Sequence, residues 1–257
     1  MTARIALQLY SMRAEADAQG LSAVLEQVSA MGYAGVEAAA LHELSPAAFA
    51  ARLDTLGLTL VAAHCGLPTP EASTALLDEK QAMGATDLVV AYLPPEDFSD
   101  AAHVSLGAER LNRFNDAVRQ RGMNLGYHNH FWEFASRIDG APAYDRFLAE
   151  LDPSVFVELD TYWTRVGGTD PVAVIDVLGK RARLLHIKDG PGDDHRAVMT
   201  ALGQGAMNIG AICSASRAGW HIVELDRCAT DMTQAVAASQ RYLVDNGFAA
   251  GTEPRGG

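Results

Sequence analysis

The chain has 257 residues, of which 49% are hydrophobic, and it carries a formal net charge of −12 with a sequence pI of about 5.0. This composition supports a large buried core and argues against intrinsic disorder. The acidic balance argues against nucleic acid and membrane surfaces as partners, because both require clustered Lys and Arg.

The cysteines and the chain ends predict a cytoplasmic protein with one domain over residues 1–248. Cys65, Cys213 and Cys228 are far apart and form no CxxC pair, which predicts reduced thiols. The N-terminal segment lacks the apolar stretch of a signal peptide, and no apolar run approaches the roughly 20 residues of a membrane span. Residues 249–257, "AAGTEPRGG", predict a flexible C-terminal tail.

One pattern recurs along the chain: a short β-rich apolar run, a turn, an amphipathic helix and a glycine. The predicted strands are 4–11, 35–40, 58–65, 87–93, 123–131, 155–163, 183–189 and 221–226. The predicted helices are 20–32, 45–57, 69–84, 106–122, 141–152, 170–181, 208–219 and 231–247. Gly57 and Gly122 lie where helix C-caps belong, and Ser45-Pro46 is typical of a helix start.

This strict alternation predicts an α/β fold with a parallel sheet. Eight strands close a (β/α)8 TIM barrel, and no change in composition suggests a second domain. The alternative is an open doubly wound sheet, which leads us to expect a glycine-rich phosphate loop after the first strand. The segment "QLYSMRAEADAQG" contains no GxGxxG.

Polar side chains concentrate at the ends of the predicted strands, where a barrel has its active site. They are Gln8, Tyr10, Glu37, His64, Tyr92, His128, His130, Glu158, Asp160, His186, Lys188, Glu224 and Asp226. Strands buried on both faces are expected to be apolar, so this concentration indicates a functional site. Imidazoles and carboxylates without thiolates suit Mn²⁺, Zn²⁺, Fe²⁺ or Co²⁺ rather than a structural zinc site.

One ligand from each of strands five to eight predicts a metal site of His128, Asp160, His186 and Glu224. We expect His130 and Glu133 further out, at the rim over the substrate. The "GQG" at Gly203–Gly205 is too short for a phosphate loop and predicts a plain turn. Hydrolysis by a Ser-His-Asp triad has no GxSxG motif to support it.

Several segments, taken in order, resemble a known family: "LQLYS", "GYAGVE", "GYHNHFWEF", "ELDTYW", "LLHIKD" and "IVELD". From residue 4 to about residue 247 they resemble the xylose isomerase-like TIM-barrel superfamily, in the branch of sugar phosphate isomerases and epimerases. The resemblance implies a sugar or polyol substrate and a divalent metal, with Mn²⁺ as first candidate and Zn²⁺, Co²⁺, Fe²⁺ or Mg²⁺ as alternatives. It allows a homo-oligomer.

The resemblance also implies roles for single residues. Asp160, His186 and Glu224 match the family's metal ligands, but His128 stands where ketose 3-epimerases carry a glutamate. In those enzymes the fifth-strand and eighth-strand glutamates transfer the protons, and this chain keeps only the eighth. Glu224 is therefore the expected base. The second acid or base is left open among His130, Glu158 and Lys188.

The expected activity is that of a metal-dependent isomerase or epimerase that works through an enediolate. A lyase or dehydratase acting on an inosose or 3-keto-glycoside is the alternative, and a non-catalytic sugar-binding or assembly subunit is the second. Endonuclease IV-like DNA repair is disfavoured by the charge of −12. The candidates for substrate binding are Gln8, Tyr10, Glu37, His64, Trp132, Glu133 and Trp163.

Overall fold

A computed structural model describes residues 2–252. Its parallel strands are β1 (Arg4–Gln8), β2 (Gly35–Ala38), β3 (Thr59–Cys65), β4 (Asp87–Val90), β5 (Asn124–His128), β6 (Phe156–Asp160), β7 (Ala182–Ile187) and β8 (Trp220–Val223). Strand β1 pairs with both β2 and β8, which closes the sheet and removes its edges. The predicted single-domain (β/α)8 barrel is confirmed.

The helices surround the barrel. They are α1 (Arg13–Gln19), α2 (Leu21–Ala30), α3 (Pro46–Leu56), α4 (Pro70–Ala82), α5 (Ala101–Gln120), α6 (Trp132–Ala135), α7 (Ala143–Glu150), α8 (Thr161–Val166), α9 (Pro171–Leu178), α10 (Ile209–Ala215) and α11 (Met232–Asp245). A small antiparallel hairpin joins Arg137–Ile138 to Ala141–Pro142. Among residues 2–252, no helix has the length and apolar character needed to cross a membrane.

The predicted strands five and six end earlier than expected. Strand β6 stops at Asp160 because the Asp160 side chain accepts a hydrogen bond from Trp163 N and caps α8. Strand β5 stops at His128, and α6 follows within four residues. His130 and Trp163 therefore lie beyond the strands, in the segments that form the upper end of the barrel.

Part of the predicted C-terminal tail packs against the barrel. Ala249 is buried, and Ala250 exchanges backbone hydrogen bonds with Ala3 and Ile5. Thr252 N donates to Gly32 O. Ala250 and Thr252 are thus hydrogen-bonded to the barrel, and the remaining residues of the predicted tail, 253–257, lie outside the described part.

The barrel interior is filled by small side chains around one large ring. Its buried cluster consists of Ala6, Val61, Ala62, Val89, Phe156, Leu184 and Ile222. Gly126 of β5 pairs directly with Phe156 of β6, and a Cβ atom at Gly126 would overlap the Phe156 ring. The glycine in "LGYHNH" is therefore required by the packing of the barrel core.

We predict that Gly126→Ala lowers the free energy of unfolding by about 1–3 kcal/mol, the usual effect of overpacking a core. Gly66→Ala is the matched control, because a Cβ atom there meets nothing within 4 Å. Urea unfolding followed by circular dichroism measures both. The double variant Gly126→Ala/Phe156→Leu is expected to recover part of the loss, and equal stability of the two single variants would contradict this packing.

Candidate active site

A cavity of about 440 Å³ opens at the carboxyl ends of the strands. The predicted site residues that line it are Tyr10, His64, His128, His130, Trp163, Lys188 and Glu224. Tyr92, Asp226 and Arg227 also line it. The predicted site residues Gln8, Glu37, Glu158, Asp160 and His186 are fully buried and do not line it.

A hydrogen-bonded layer of these buried residues supports the cavity. Gln8 Nε2 donates to Glu37 Oε2 at 2.7 Å, and His186 Nε2 donates to the same oxygen at 2.6 Å. His64 Nε2 donates to Glu158 Oε2 at 2.7 Å. The sequence predicts substrate contacts for Gln8 and Glu37, but Gln8 is turned toward Glu37 and Tyr10 N, and Glu37 is turned toward His186. Through Glu37 this pair holds His186 in place, and the substrate contacts of Gln8 and Glu37 stay a prediction.

Above this layer lies the predicted metal site. Ligand atoms of His128, Asp160, His186 and Glu224, which we call the upper group, all lie within 4.8 Å of one another. Asp160 Oδ1 is used by the cap of α8, whereas the buried Oδ2 faces the Lys188 ammonium at 2.9 Å. His186 Nδ1 lies 2.8 Å from Glu224 Oε2.

Each imidazole of the upper group directs one ring nitrogen toward a carboxylate of the buried layer and the other toward a carboxylate of the upper group. His128 Nδ1 lies 3.2 Å from Glu158 Oε2, and its Nε2 lies 3.8 Å from Asp160 Oδ2. His186 Nε2 faces Glu37 while Nδ1 faces Glu224. A carboxylate behind an imidazole selects the tautomer whose other nitrogen can bind a metal. Two nitrogens and two carboxylate oxygens therefore fit a divalent ion.

A second set of potential ligands, the lower group, consists of His64, His128, Glu158 and His186. Its members are already engaged with one another and with Glu37 through hydrogen bonds. The Glu37 and Glu158 carboxylates outweigh burial and raise the pKa of His64 to about 10. Carboxylates also outweigh burial and raise the pKa of His186, which belongs to both groups, so a metal that binds His186 must replace a proton. The hydrogen bonds among its members and with Glu37 suit the lower group to support the upper one.

Lys188 neutralises the carboxylates around the cavity. Its Nζ lies 2.6 Å from Glu224 Oε2, 2.9 Å from Asp160 Oδ2 and 3.0 Å from Asp226 Oδ2. Burial alone would lower the pKa of Lys188, but the three carboxylates outweigh it and hold the pKa well above its ordinary value. The side chain is therefore an ammonium ion at neutral pH.

The same environment determines the charge of the other groups. Burial would raise the pKa of Glu224, but Lys188 and His186 outweigh burial and lower it well below the ordinary value. Burial raises the pKa of Asp160 to about 6. Burial, with Lys188 nearby, lowers the pKa of His130 to about 3, so this imidazole is neutral at pH 7. The cavity thus combines a carboxylate, an ammonium ion and a neutral imidazole.

Comparison with known families assigns the chain to one of them. The model of the family described as xylose isomerase-like TIM barrel matches residues 25–243. The chain belongs to this family.

The relatives differ in activity. An inosose dehydratase from Lacticaseibacillus casei is 25% identical over 187 residues, a match covering 64% of this chain and 62% of that protein. The chain therefore spans less than two thirds of the length of this curated relative. A sugar phosphate isomerase/epimerase structure from Parabacteroides distasonis has a TM-score of 0.83, with 25% identity over 96% of this chain and 99% of that chain. A probable 3-DHS dehydratase from Bacillus anthracis shares the fold, with a TM-score of 0.78 at 15% identity, covering 94% of this chain and 98% of that chain.

In this xylose isomerase-like barrel, Glu133 and Trp132 hold His130 in position. Glu133 is fully buried, where it accepts hydrogen bonds from His130 N at 3.0 Å and from the Tyr127 hydroxyl at 2.8 Å. The Trp132 ring stacks on the His130 ring with centroids 4.4 Å apart. The sequence predicts both residues as substrate contacts, but neither lines the cavity. The prediction that Glu133 lies at the rim is wrong, because its carboxylate serves the backbone after β5.

Asn129 was not among the sequence candidates, although it lies between the two histidines of "HNH". Its Oδ1 accepts from Asp160 N at 2.9 Å, and its Nδ2 donates to Asp160 O at 3.2 Å. The amide thus continues the β5–β6 pairing one residue beyond the end of β5. This brings His128 and Asp160 to the same level, and the only signal in the sequence is an amide at a strand end.

Asp189, at the end of "HIKD", organises the long loop after β7. Its carboxylate accepts backbone hydrogen bonds from Gly190, Gly203, Gly205 and Met207. A Cβ atom at Gly205 would overlap the Asp189 carboxylate. The "GQG" segment therefore wraps around a carboxylate of the protein itself, which accounts for Gly205. Gly203 has a φ of +83°, and a Cβ atom there would overlap the Tyr242 ring.

The buried Glu133 predicts a pH-dependent stability. Burial raises its pKa to about 7 from an ordinary value of 4.5, so the native state keeps the proton that the unfolded chain releases. Its contribution is fully present below pH 4.5 and is lost as pH rises through 7, by up to about 3 kcal/mol. We expect Glu133→Gln to gain stability relative to the wild type between pH 5 and pH 8.

Thermal unfolding at both pH values measures this relative gain. The exposed Glu109 provides the control, because Glu109→Gln is expected to show the same difference from the wild type at each pH. A Glu133→Gln difference that does not change with pH would show that the native carboxyl group titrates as it does in the unfolded chain.

Proposed function

We propose that the protein is an enzyme that removes a proton next to the carbonyl group of a small sugar or polyol and then returns it, as an isomerase or epimerase. The observation that supports this most is the juxtaposition of the upper group with Lys188: His128, Glu224 and Lys188 line one open cavity, and Asp160 and His186 lie buried directly beside them. Four potential ligand atoms and one ammonium ion lie where a substrate carbonyl and its neighbouring hydroxyl can reach both.

The cofactor we propose is Mn²⁺, held by His128, Asp160, His186 and Glu224. Two imidazoles and two carboxylates also suit Zn²⁺, Co²⁺ and Fe²⁺, whereas Mg²⁺ prefers a set of oxygen ligands. When bound, such an ion polarises the substrate carbonyl and makes the adjacent hydrogen more acidic.

The proton transfers are proposed for three residues. The Glu224 carboxylate takes the proton from the α-carbon, and the C–H electrons move to the carbonyl oxygen to give an enediolate. The Lys188 ammonium donates a hydrogen bond to that oxygen and stabilises its charge. His130, neutral and across the cavity on the β5 side, accepts or returns a proton on the opposite face. Glu158 lies beneath the floor and acts by holding His64.

A dehydratase is the second candidate, and the fifth-strand position favours it. His128 leaves the β5 side without the carboxylate that a two-glutamate epimerase uses. The Lys188 ammonium, 2.6 Å from Glu224, is a proton donor for a departing hydroxyl group. Similarity to inosose dehydratases supports the same alternative.

In either case we propose a small-molecule substrate and a cytoplasmic location, and the three free cysteines agree with that location.

We predict that the Mn²⁺-loaded protein exchanges the α-hydrogen of a substrate for deuterium in D₂O. NMR of ketoses, inososes and 3-keto-glycosides detects the exchange, and mass spectrometry detects any loss of water. Removal of the metal with a chelator is expected to abolish the exchange, and Mn²⁺ to restore it. A protein that binds Mn²⁺ but exchanges no hydrogen in any of these compounds would support the non-catalytic sugar-binding alternative.

We predict two separate effects of Lys188→Met. Three carboxylates lose their buried partner, which lowers the free energy of unfolding by about 3–5 kcal/mol. Loss of the ammonium lowers kcat by about 10²-fold or more in the folded fraction. Melting temperature and kcat are measured on one preparation, with Lys180→Met, in the segment just before β7, as the control. Normal turnover in the folded fraction would limit Lys188 to a structural role.

A further inference from the structure

Two tyrosines at the mouth of the cavity keep their rings exposed. Tyr10 is 44% exposed and Tyr92 is 48% exposed, and both line the cavity. Most other large aromatic side chains of the barrel are buried. Exposed aromatic rings that share a cavity with a few convergent polar groups are typical of a binding face.

The Tyr10 ring is held in place from behind. The Arg13 guanidinium lies over it, 4.0 Å from the ring centroid. Arg13 also donates to Tyr10 O at 2.8 Å and to Asp226 O at 2.6 Å, which ties the segment after β1 to the segment after β8. The ring therefore keeps its orientation without a ligand.

The Tyr92 ring is held by different contacts. It meets the edges of His130 and Trp132 with centroids 5.6 Å and 5.4 Å away. Those two rings are themselves stacked, so Tyr92 rests on a rigid pair. Rings fixed before binding lose little entropy when a ligand arrives, which favours affinity.

The charges around the two tyrosines do not suit a phosphate group. Among the described lining residues, Lys188 and Arg227 are the only Lys or Arg side chains, and Lys188 is already paired with three carboxylates. Arg227 donates to His195 O. Glu224 and Asp226 line the same cavity and would repel a phosphate dianion. A group that lies at the mouth is therefore expected to be uncharged.

From these observations we propose that Tyr10 and Tyr92 form an outer subsite that stacks on a second, uncharged sugar ring. The substrate is then a glycoside: its carbonyl-bearing ring reaches Glu224 and Lys188, and the attached ring lies against the tyrosines through its C–H face. The position of the carbonyl-bearing ring rests on the proposed function, whereas the stacking of the second ring does not. Tyr92 then acts as a specificity-determining residue, and this role is independent of the bound metal and of the chemical step.

The test is the binding of unreactive sugars to the full-length, Mn²⁺-loaded protein, measured by saturation-transfer NMR. The probes are glucose, cellobiose, maltose and glucose 6-phosphate. We expect one of the disaccharides to bind at least tenfold more tightly than glucose, and glucose 6-phosphate to bind no more tightly than glucose. Equal or undetectable binding of both disaccharides would overturn the subsite, as would strongest binding of the phosphate.

Variants of the two tyrosines test whether these rings cause the disaccharide preference. Tyr92→Ala and Tyr10→Ala are each expected to remove most of the disaccharide preference, whereas Tyr92→Phe keeps the ring and keeps the preference. Val177→Ala, at an exposed position on α9, is the control for effects of a substitution far from the cavity. A preference that survives in both alanine variants would contradict the assignment to these tyrosines.

Failure of the proposed function looks different from failure of the subsite. Disaccharide preference without hydrogen exchange in D₂O would leave the subsite in place and remove the chemistry. Hydrogen exchange on a free ketose, with a KM for the corresponding keto-glycoside that is no lower, would support the chemistry and contradict the subsite.

Discussion

The structure depends on the burial of several carboxylates around a single ammonium ion. The buried or half-buried carboxylates at the upper end of the barrel are Glu37, Glu158, Asp160, Glu224 and Asp226. A charge inside a protein is tolerated only when a partner compensates it. Lys188 pairs with three of them, and His64 and His186 pair with the others. These five carboxylates are therefore oriented by ionic partners before any ligand binds.

This compensation connects the lower layer of the site with its chemistry. Because Glu37 accepts the Nε2 proton of His186, the Nδ1 atom faces Glu224 and is the nitrogen available to a metal. A metal that binds there replaces a proton, so its affinity depends on pH. Glu158 Oε2 lies 3.2 Å behind His128 Nδ1 without a hydrogen bond to it. Glu37, which does not line the cavity, thus determines which atom of His186 is free to bind a metal.

The sequence predicted the fold because strand–helix alternation and helix caps are local signals, and it predicted which strand ends carry polar groups. It could not predict how deeply each polar side chain is buried, since strand parity places Gln8 and Glu37 on the inner face without showing whether a cavity reaches them. One cap escaped prediction: "LDTYW" has the composition of a strand, but the Asp160 side chain accepts a hydrogen bond from Trp163 N and starts a helix there. The role of Glu133 depends on a tertiary contact with Tyr127.

The measurement that tests the central claim most directly is anomalous X-ray diffraction from crystals of the protein loaded with Mn²⁺. Our account predicts one strong peak coordinated by the upper group, with ligand distances of about 2.0–2.3 Å. Lys188 is expected within hydrogen-bond distance of Asp226 in the same crystal. A peak coordinated by the lower group, or no peak at a Mn²⁺ concentration that saturates the protein in solution, would contradict the account.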